Sequence, residues 1–409
     1  MNFLNAIFAA PAILSFALLL WQFFAARKFP LHQRIAATDF TPAISILKPL
    51  KGCDDTTAAS LQSWLNQNYP GQTQILFGVA DTNDPVCKIV QELLQKNPAL
   101  NAQLMICGEP PGANAKVSKL AQLERHAKHD LILICDADVR VPPDFLVNFV
   151  APLRDEGRAG SPLPAAAQTK DGAHGVTRPT NVALVNCFYR LANPSTTAMK
   201  WEAVAINADF WSQVLQSQTL KPLDFALGAA ILVRRNALAE IGGFKSLADC
   251  LADDYQLGNR IFKTGRRIAL CSVVVECWDA PMSWRAVWKH QLRWARTIRV
   301  CQPLPYFFSI LSNATFWPLL WLFVSSATAK AFCAPLTAIA FLLLRIVLAQ
   351  KLQRRFTPER RLVSPFWLVP VKDLLQAALW LCAFAGNTVE WRGRKMKLRR
   401  DGTLEDGGR

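Results

Sequence analysis

The sequence predicts an α/β domain with a Rossmann-like, mainly parallel sheet, flanked by transmembrane helices at both ends of the chain. Three observations lead to this fold class. Apolar, strand-like runs alternate with helical periodicity from residue 40 to residue 150. Acidic residues stand directly after two of these runs. Apolar segments of about 20 residues, the length that crosses a bilayer, lie near both termini.

Composition agrees with a membrane-associated protein. The chain has 409 residues, 51% of them hydrophobic, and a net charge of +16, which suits nucleic acid, an anionic membrane or anionic substrates. Many basic residues flank the apolar C-terminal segments, which favours the positive-inside rule and anionic lipid. The 11 cysteines are scattered without a C-x-x-C pair. This odd number indicates a reduced, cytoplasm-facing protein, and neither a disulfide framework nor a zinc site.

The N-terminal segment, residues 1–26, is predicted to be a transmembrane anchor. Residues 2–26 carry no charge, and Arg27, Lys28 and Arg34 follow the apolar run. A secretory signal peptide has its basic residues before the run and a cleavage site after it. The observed polarity favours an uncleaved anchor with its N-terminus outside and the rest of the chain entering the cytoplasm.

Residues 40–280 are predicted to form the catalytic domain. The alternating pattern predicts four strands, Ala43–Leu47, Gln74–Val79, Gln103–Ile106 and Leu131–Ile134. It also predicts three helices, Thr57–Gln67, Val86–Lys96 and Ala115–His129. Ligands of such sheets bind beyond the carboxyl ends of the strands. No P-loop and no dinucleotide glycine fingerprint is present, which argues against those nucleotide-binding classes.

Two acidic pairs stand at predicted strand ends. Asp81 and Asp84 follow the second strand, and Asp136 and Asp138 follow the fourth. Two carboxylates one residue apart suit Mg²⁺ or Mn²⁺, which also accept phosphate oxygens. An isolated Asp-x-Asp is more often a solvated turn. A functional interpretation of Asp136 and Asp138 therefore depends on the other motifs along the chain.

The second half of the domain is less regular. Residues 151–180 are predicted to be a loop, and Phe225–Val233 a buried strand with Gly228 where the backbone approaches a ligand. Asp253 and Asp254 open a helix, where carboxylates also have an ordinary capping role.

Residues 281–300 are predicted to form an amphipathic interfacial helix. Trp284, Trp288 and Leu292 share one face, and a basic face lies beside it. This pattern suits the membrane–water interface, although a calmodulin-type target helix or a nucleic-acid patch would have the same pattern.

Residues 303–388 are predicted to hold three membrane segments and residues 389–409 a basic tail. The segments are roughly 306–326, 331–348 and 366–385. The first two are expected to span. The third is expected to span or re-enter, because Lys372 and Asp373 near its middle are costly in lipid.

Four motifs now stand in order along the chain: ADTNDP at 80–85, CDAD at 135–138, ADDY at 252–255 and HQLRW at 290–294. They resemble the D, D, D, (Q/R)xxRW pattern of membrane-bound GT-A glycosyltransferases. SILKPLKG, NAKVSKL and WRGRKMKLRRDGT extend the resemblance to the ceramide glucosyltransferase family over nearly the whole chain. LADDYQLGNRI and HQLRWARTIR are also similar to bacterial hopanoid-associated glycosyltransferases. His290 holds the first motif position, with Gln291 one place later, so the role of His290 stays open.

The resemblance implies a GT-A fold and a UDP-sugar donor, with roles for individual residues. Asp81 or Asp84 would contact the uridine, and Asp136 and Asp138 would hold Mg²⁺ or Mn²⁺ against the diphosphate. Asp254 would be the general base. The other implied contacts are Lys116 to phosphate, Arg293 and Trp294 over the diphosphate and acceptor, and Gly228 and Asp253 in the acceptor or sugar pocket. A solvated helix face is an equally good account of Lys116.

The implied function is inverting transfer of a hexose, first of all glucose, from a UDP-sugar to a hydroxyl of ceramide, giving a β-glycosyl lipid. The alternatives are a hopanoid-associated transferase and, below it, a processive polysaccharide synthase, which needs a channel and more spanning helices. A nucleic-acid-binding protein is disfavoured because the acidic cluster would repel phosphate unless a metal intervened. The bacterial inner membrane is the expected location. Acceptor selection is expected in residues 181–225, which match the family poorly.

Overall fold

The computed structural model describes residues 3–35, 39–108, 112–154, 182–327, 333–359, 363–391 and 394–406. The chain forms two compact units. We call the first the sheet unit, which consists of Phe29–Tyr189 and Pro222–Ala280. We call the second the helical unit, which consists of Met1–Lys28, Arg190–Lys221 and Pro281–Arg409.

The helices of the described residues are, in chain order, α1 (Phe3–Lys28), α2 (Thr57–Leu65), α3 (Val86–Lys96), α4 (Ala115–Glu124), α5 (Phe145–Val150), α6 (Thr197–Val204), α7 (Trp211–Gln218), α8 (Arg235–Glu240), α9 (Asp253–Lys263), α10 (Trp284–Cys301), α11 (Pro303–Phe308), α12 (Phe316–Ala327), α13 (Cys333–Phe356) and α14 (Leu368–Phe384). A π-helical turn, Ala205–Phe210, joins α6 to α7.

The strands are β1 (Ile44–Pro49), β2 (Thr73–Val79), β3 (Ala102–Ile106), β4 (Leu131–Cys135), β5 (Val139–Arg140), β6 (Val182–Leu191), β7 (Ala230–Arg234), β8 (Arg267–Cys277), β9 (Thr388–Trp391), β10 (Arg394–Leu398) and β11 (Leu404–Asp406). The first eight form one sheet in the order β3-β2-β1-β4-β7-β6-β8-β5, and the last three a small antiparallel sheet in the order β11-β10-β9.

The α/β fold class is confirmed. Strands β3, β2, β1 and β4 pair in parallel, as the alternation of strands and helices predicts. Strand β7 runs antiparallel to β4, and β6 runs antiparallel to β7. Because β1, β2 and β4 are parallel, their carboxyl ends lie at one edge of the sheet. The acidic pairs after β2 and β4 therefore lie at the same edge, where ligands of such sheets bind.

The sheet is buried on both faces. Leu131 and Leu133 of β4 belong to one hydrophobic cluster, and Ile132 and Ile134 belong to another. Successive side chains of a strand point to opposite faces, so a strand covered on both sides is apolar throughout. This packing accounts for the uninterrupted apolar run that ends at Cys135.

Some boundaries differ from the sequence prediction. The predicted strand Phe225–Val233 begins only at Ala230, because the preceding residues form a loop on which the backbone of α9 packs. The predicted helix Ala115–His129 ends at Glu124. Strand β6 was not predicted. Most of the predicted loop at 151–180 lies outside the described residues.

The helical unit has two helices long and apolar enough to cross a membrane within the described residues, Asn5–Lys28 and Cys333–Phe356. Pro303–Ser312 and Phe316–Ala327 would add a third span if the pair, bent by 46°, crosses as one. The 17-residue α14, for which the sequence left spanning and re-entry open, is not among these candidates.

The basic tail contributes β9, β10 and β11, and Lys289 on α10 forms an ion pair of 2.7 Å with Glu390.

Candidate active site

The turn that follows β4 is fixed by backbone contacts and by one buried lysine. The amide of Asp136 donates to the carbonyl of Ala229 at 3.2 Å, and the amide of Trp278 donates to the carbonyl of Asp138 at 3.1 Å. The Lys48 Nζ donates to the carbonyl of Asp136 at 2.9 Å and lies 3.2 Å from the Cys135 Sγ. The backbone between the two predicted metal ligands is thus held by neighbouring segments of the same unit.

Lys116 joins two of the acidic motifs. Its Nζ lies 2.8 Å from the Asp136 Oδ1 and 3.1 Å from the Asp253 Oδ2. The Lys116 and Asp253 side chains are each 12% exposed, whereas that of Asp136 is 39% exposed. Burial would lower the pKa of Lys116, but Asp136 and Asp253 outweigh it and hold this pKa above its ordinary value. Lys116 is therefore a charged, largely buried group inside the site, and a solvated helix face does not describe it.

Asn114 places Lys116 in that position. Its Oδ1 caps α4 by accepting from the amides of Lys116 at 3.0 Å and Val117 at 3.2 Å. Its Nδ2 donates to the carbonyl of Cys250 at 2.8 Å. One amide side chain thus ties the start of α4 to the segment that leads into Asp253. Sequence reasoning noted the NAKVSKL stretch but not this residue, whose capping position after a short loop was the available signal.

The environment of Asp138 fits a divalent cation. Burial raises the pKa of this carboxyl to about 7, and the nearby charges of Asp136 and Asp279 add to the shift. A cation beside these acids would relieve their mutual repulsion. No cluster of three or more His, Cys, Asp or Glu side chains in the described part of the chain is arranged as a metal site. Two carboxylates completed by phosphate oxygens and water are a common arrangement for Mg²⁺.

Asp254 lies against the loop before β7. Burial and the neighbouring Asp253 raise the pKa of its carboxyl to about 6, while Lys116 opposes the shift. Its Oδ1 accepts from the amide of Tyr255 at 2.7 Å. A Cβ added at Gly228 would lie only 2.7 Å from the Asp254 Oδ2, so any side chain at position 228 collides with the carboxylate. Gly228 and Asp254, two predicted site residues, are thus direct neighbours.

A second glycine brings α9 to this loop. A Cβ at Gly258 would lie 2.3 Å from the amide nitrogen of Ala226. Only glycine at this position allows the helix that carries Asp253 and Asp254 to approach the backbone before Gly228. Sequence reasoning missed Gly258, although a glycine inside a helical pattern is a known signal of close packing.

The two acids after β2 have different surroundings. Both carboxylate oxygens of Asp84 accept from the amide of Gly52 at 3.0 Å, and its Oδ1 also accepts from the amide of Val86 at 3.0 Å. Asp84 therefore joins the loop after β1 to the start of α3. Asp81 is exposed, and its Oδ1 accepts from the amide of Asn83 at 2.9 Å. Of the two, Asp81 has the carboxylate more available to a ligand.

The HQLRW motif lies on α10 in the helical unit. The His290 Nδ1 donates to the Glu202 Oε1 at 2.8 Å, and the Gln291 Nε2 donates to the same oxygen at 2.7 Å. Glu202 is 1% exposed, so these donors compensate a buried carboxylate. The His290 ring also packs on Trp294, with ring centroids 4.6 Å apart. The structure thus gives His290 and Gln291 a common partner, which no sequence motif had indicated.

The predicted site residues fall into three groups. In the first, Lys116, Asp136 and Asp253 are joined by ion pairs, Asp138 lies near enough to Asp136 for its charge to raise the Asp138 pKa, and Gly228 contacts Asp254. Asp81 and Asp84 follow β2 at the sheet edge. Arg293 and Trp294 are partly buried on α10 of the helical unit.

The family of the chain follows from comparison with known proteins. Glycosyl transferase family 21 matches residues 5–174 and 165–404, which together cover nearly the whole sequence. The chain belongs to glycosyl transferase family 21, the ceramide glucosyltransferase family. The predicted resemblance to this family is thereby confirmed.

Two ceramide glucosyltransferases align with part of this chain. Ceramide glucosyltransferase 1 of Caenorhabditis elegans is 22% identical over 243 residues, which are 59% of this chain and 47% of the nematode protein. Ceramide glucosyltransferase of Candida albicans is 36% identical over 121 residues, 27% of this chain and 22% of the yeast protein. The chain thus aligns with about half or less of the length of these relatives.

A solved structure supports the GT-A fold of this family 21 chain. The mannosyltransferase PcManGT from Pyrobaculum calidifontis, in complex with GDP-Man and Mn²⁺, superposes with a TM-score of 0.51 and 19% identity. The superposition covers 92% of this chain and 99% of the mannosyltransferase. At this identity the likeness establishes the fold.

Proposed function

We propose that this family 21 enzyme transfers glucose from UDP-glucose to a hydroxyl of ceramide with inversion, giving a β-glucosyl lipid. The observation that carries the proposal is the arrangement of Lys116, Asp136, Asp253 and Asp254 at the carboxyl edge of the parallel strands. It places a buried cation and a carboxylate of raised pKa in one acidic site. The two relatives named as ceramide glucosyltransferases support the choice of donor sugar and acceptor.

Asp254 is the proposed general base. Its carboxyl pKa of about 6 leaves it ionised at neutral pH while making it a stronger base than an ordinary aspartate. The acceptor oxygen bonds to the anomeric carbon as the bond from that carbon to the diphosphate oxygen breaks. The hydroxyl proton passes to Asp254, and the bonding electron pair leaves with UDP. A single displacement inverts the anomeric centre, so an α-linked donor gives a β-linked product.

Lys116 and the acidic pair are proposed to receive the donor diphosphate. Asp136 and Asp138 would hold Mg²⁺ or Mn²⁺, and such a cation neutralises negative charge that develops on the leaving group. Lys116 is already charged and held by Asp136 and Asp253, so its ammonium supplies a phosphate contact without first being ordered. Asp81 is the proposed uridine contact, and Asp84 supports the loop beside it. Arg293 and Trp294 stay as predicted donor and acceptor contacts.

The membrane arrangement completes the proposal. Asn5–Lys28 is proposed to anchor the chain in the bacterial inner membrane with the N-terminus outside, since Arg27 and Lys28 close this span on the cytoplasmic side. The catalytic domain would then face the cytoplasm, where nucleotide sugars are soluble.

The test is a transfer assay with the purified full-length protein. It is incubated with Mn²⁺ and UDP-glucose, UDP-galactose or UDP-N-acetylglucosamine, with ceramide and a hopanoid offered in parallel, and lipid products are identified by mass spectrometry. The expected product is β-glucosylceramide, lost on chelation of the metal. A hopanoid glycoside in place of it would favour the alternative acceptor suggested by LADDYQLGNRI. Absence of transfer to either lipid by protein that binds UDP would contradict the proposal.

Two variants with the same chemical change sharpen this test. Asp254→Asn should lower transfer by about 100- to 10,000-fold while UDP binding is retained, because the amide cannot accept the proton. Glu92→Gln, on the exposed face of α3, makes the same carboxylate-to-amide change away from the site and should leave transfer unchanged. Loss of UDP binding in Asp254→Asn would mean that this residue has a role in donor binding instead.

A further inference from the structure

The helical unit contains a cavity that the proposed chemistry at Asp254 does not use. Its volume is about 190 Å³. Protein interiors are close-packed, with few voids larger than one water molecule. A cavity of this size has room for several water-sized groups or for part of a ligand.

One wall of the cavity is formed by the HQLRW helix and is mostly apolar. Along α10, Trp294, Ala295 and Ile298 line it together with the amide of Gln291, at the spacing of a single helical face. The other apolar lining includes Leu19 of α1, Ile206, Ile310 and Trp380. Leu19 belongs to α1, a candidate membrane span, so the apolar lining includes a helix suited to contact hydrocarbon chains.

The other end of the cavity is polar and is formed by four buried charges. Arg345 makes two bidentate ion pairs: its NH1 and NH2 lie 3.0 and 2.8 Å from the Asp209 oxygens, and its Nε and NH2 lie 2.8 Å from the Asp373 oxygens. Lys372 pairs with both carboxylates, at 2.9 Å from the Asp373 Oδ1. Each of these side chains is at most 7% exposed.

The charges in this network cancel, since two acids face two bases. A phosphate or carboxylate entering the cavity would therefore find no excess positive charge and would lose its hydration. An uncharged ligand avoids this cost, because it has no charge whose hydration is lost on entry. Gln213 and Gln376 also line the cavity, and each amide side chain both donates and accepts hydrogen bonds. This chemistry suits hydroxyl and amide groups.

We propose that this cavity binds the acceptor lipid, with its uncharged hydroxyl and amide head at the polar end and the start of its chains along the apolar wall. The inference rests on the proposed function and names the acceptor subsite for it. Asp209 and its neighbours belong to the 181–225 stretch, where acceptor selection was expected. The π-helical turn of Ala205–Phe210 presents Asp209 and Ala205 to the cavity.

The binding test uses full-length protein in phosphatidylcholine vesicles with a diazirine-bearing ceramide, without a sugar donor. Cross-linked peptides are located by mass spectrometry. We expect labelling of peptides that contain residues 205–213 and 306–314, reduced at least fivefold by excess unlabelled ceramide. The same excess of unlabelled phosphatidic acid should not reduce this labelling. Ceramide labelling confined to other peptides, or equal competition by phosphatidic acid, would overturn the proposal.

Matched variants test the same cavity through activity. Ala205→Phe fills the cavity, whereas Ala378→Phe makes the same change on the exposed face of α14, outside the lining. We expect the first to raise the KM for ceramide at least tenfold with the KM for the UDP-sugar unchanged, and the second to change neither. An unchanged ceramide KM in Ala205→Phe would overturn the proposal. UDP binding shows whether each variant is folded. If Ala205→Phe does not fold, Gln376→Leu, which removes the amide at similar volume, replaces it in the measurement of the ceramide KM.

The proposed function and the proposed lipid subsite can fail separately. If no glucose is transferred but ceramide cross-linking at 205–213 is competed, the proposed function fails while the lipid subsite stands. If glucosylceramide forms and Ala205→Phe has no effect on the ceramide KM, the function stands and the subsite is wrong.

Discussion

The carboxylate of Asp254 lies where a side chain at position 228 would have to be, because a Cβ on Gly228 would come within 2.7 Å of the Asp254 Oδ2. A change of residue 228 is therefore a change in the position of the proposed base. The backbone of the loop before β7 and the second acid of the ADDY motif form one structural feature.

Gly228→Ala is expected to lower kcat by about 10- to 100-fold, because displacement of a reacting group by about 1 Å costs that much. UDP binding should persist, since Lys116 and Asp136 are not displaced by the new methyl group. Gly108→Ala is the matched control, because a Cβ at Gly108 has no neighbour within 4 Å. Steady-state kinetics and UDP titration measure both. A normal kcat in Gly228→Ala would show that the position of Asp254 is not critical.

The pH profile should report the ionisation of Asp254. Its carboxyl pKa is about 6, and a protonated carboxyl cannot accept the acceptor proton. Activity should therefore be low in acid, rise through about pH 6 and level off above pH 7. Lys116 lowers this pKa, so Lys116→Met should move the rise to higher pH as well as weaken donor binding. The measurement is kcat against pH at saturating donor. A rise that does not move in Lys116→Met would contradict the electrostatic coupling.

Glu202 is expected to position the HQLRW helix. Glu202→Ala would leave His290 and Gln291 without their shared acceptor and should lower the free energy of unfolding by about 1–3 kcal/mol. His290→Gln should be tolerated, because a glutamine amide also donates to Glu202 and restores the family's first motif residue. His290→Leu should lose the contact. The three variants are compared by their thermal unfolding in detergent and by their rates of transfer. Equal stability of Glu202→Ala and the unmodified protein would rule out this role.

Much of the sheet unit was predictable because its strands are short apolar runs that can be recognised from neighbouring residues in the sequence. The β-α alternation and the acids after β2 and β4 identified the parallel strands and the edge that holds the site. The resemblance supplied Asp253 and Asp254, which local pattern alone would assign to capping. The sequence supports both a phosphate contact and a solvated helix face for Lys116, because its partners Asp136 and Asp253 are distant in sequence.

The residues that were missed act through long-range contacts. Asn114 and Gly258 matter because of what they touch, Cys250 and Ala226, and single-sequence periodicity carries no such information. Glu202 and Asp209 lie in residues 181–225, which contain none of the motifs that resemble the family. The sequence did flag Arg345, Lys372 and Asp373 as charges within apolar segments. It did not show that Asp209 joins Arg345 and Lys372 in one buried network.

That network predicts a steep stability cost for removing any one charge. Arg345→Met would leave Asp209 and Asp373 paired with Lys372 alone among the cations of this described network, and breaking a buried pair costs about 3–5 kcal/mol. Asp209→Asn combined with Arg345→Met removes one acid and one base, so the double variant should recover part of that loss. Arg354→Met, at an exposed position of α13, is the control and should be nearly neutral. Chemical or thermal unfolding in detergent measures the cycle. A double variant whose loss of stability equals the sum of the two single losses would show that Asp209 and Arg345 are not coupled through their ion pair.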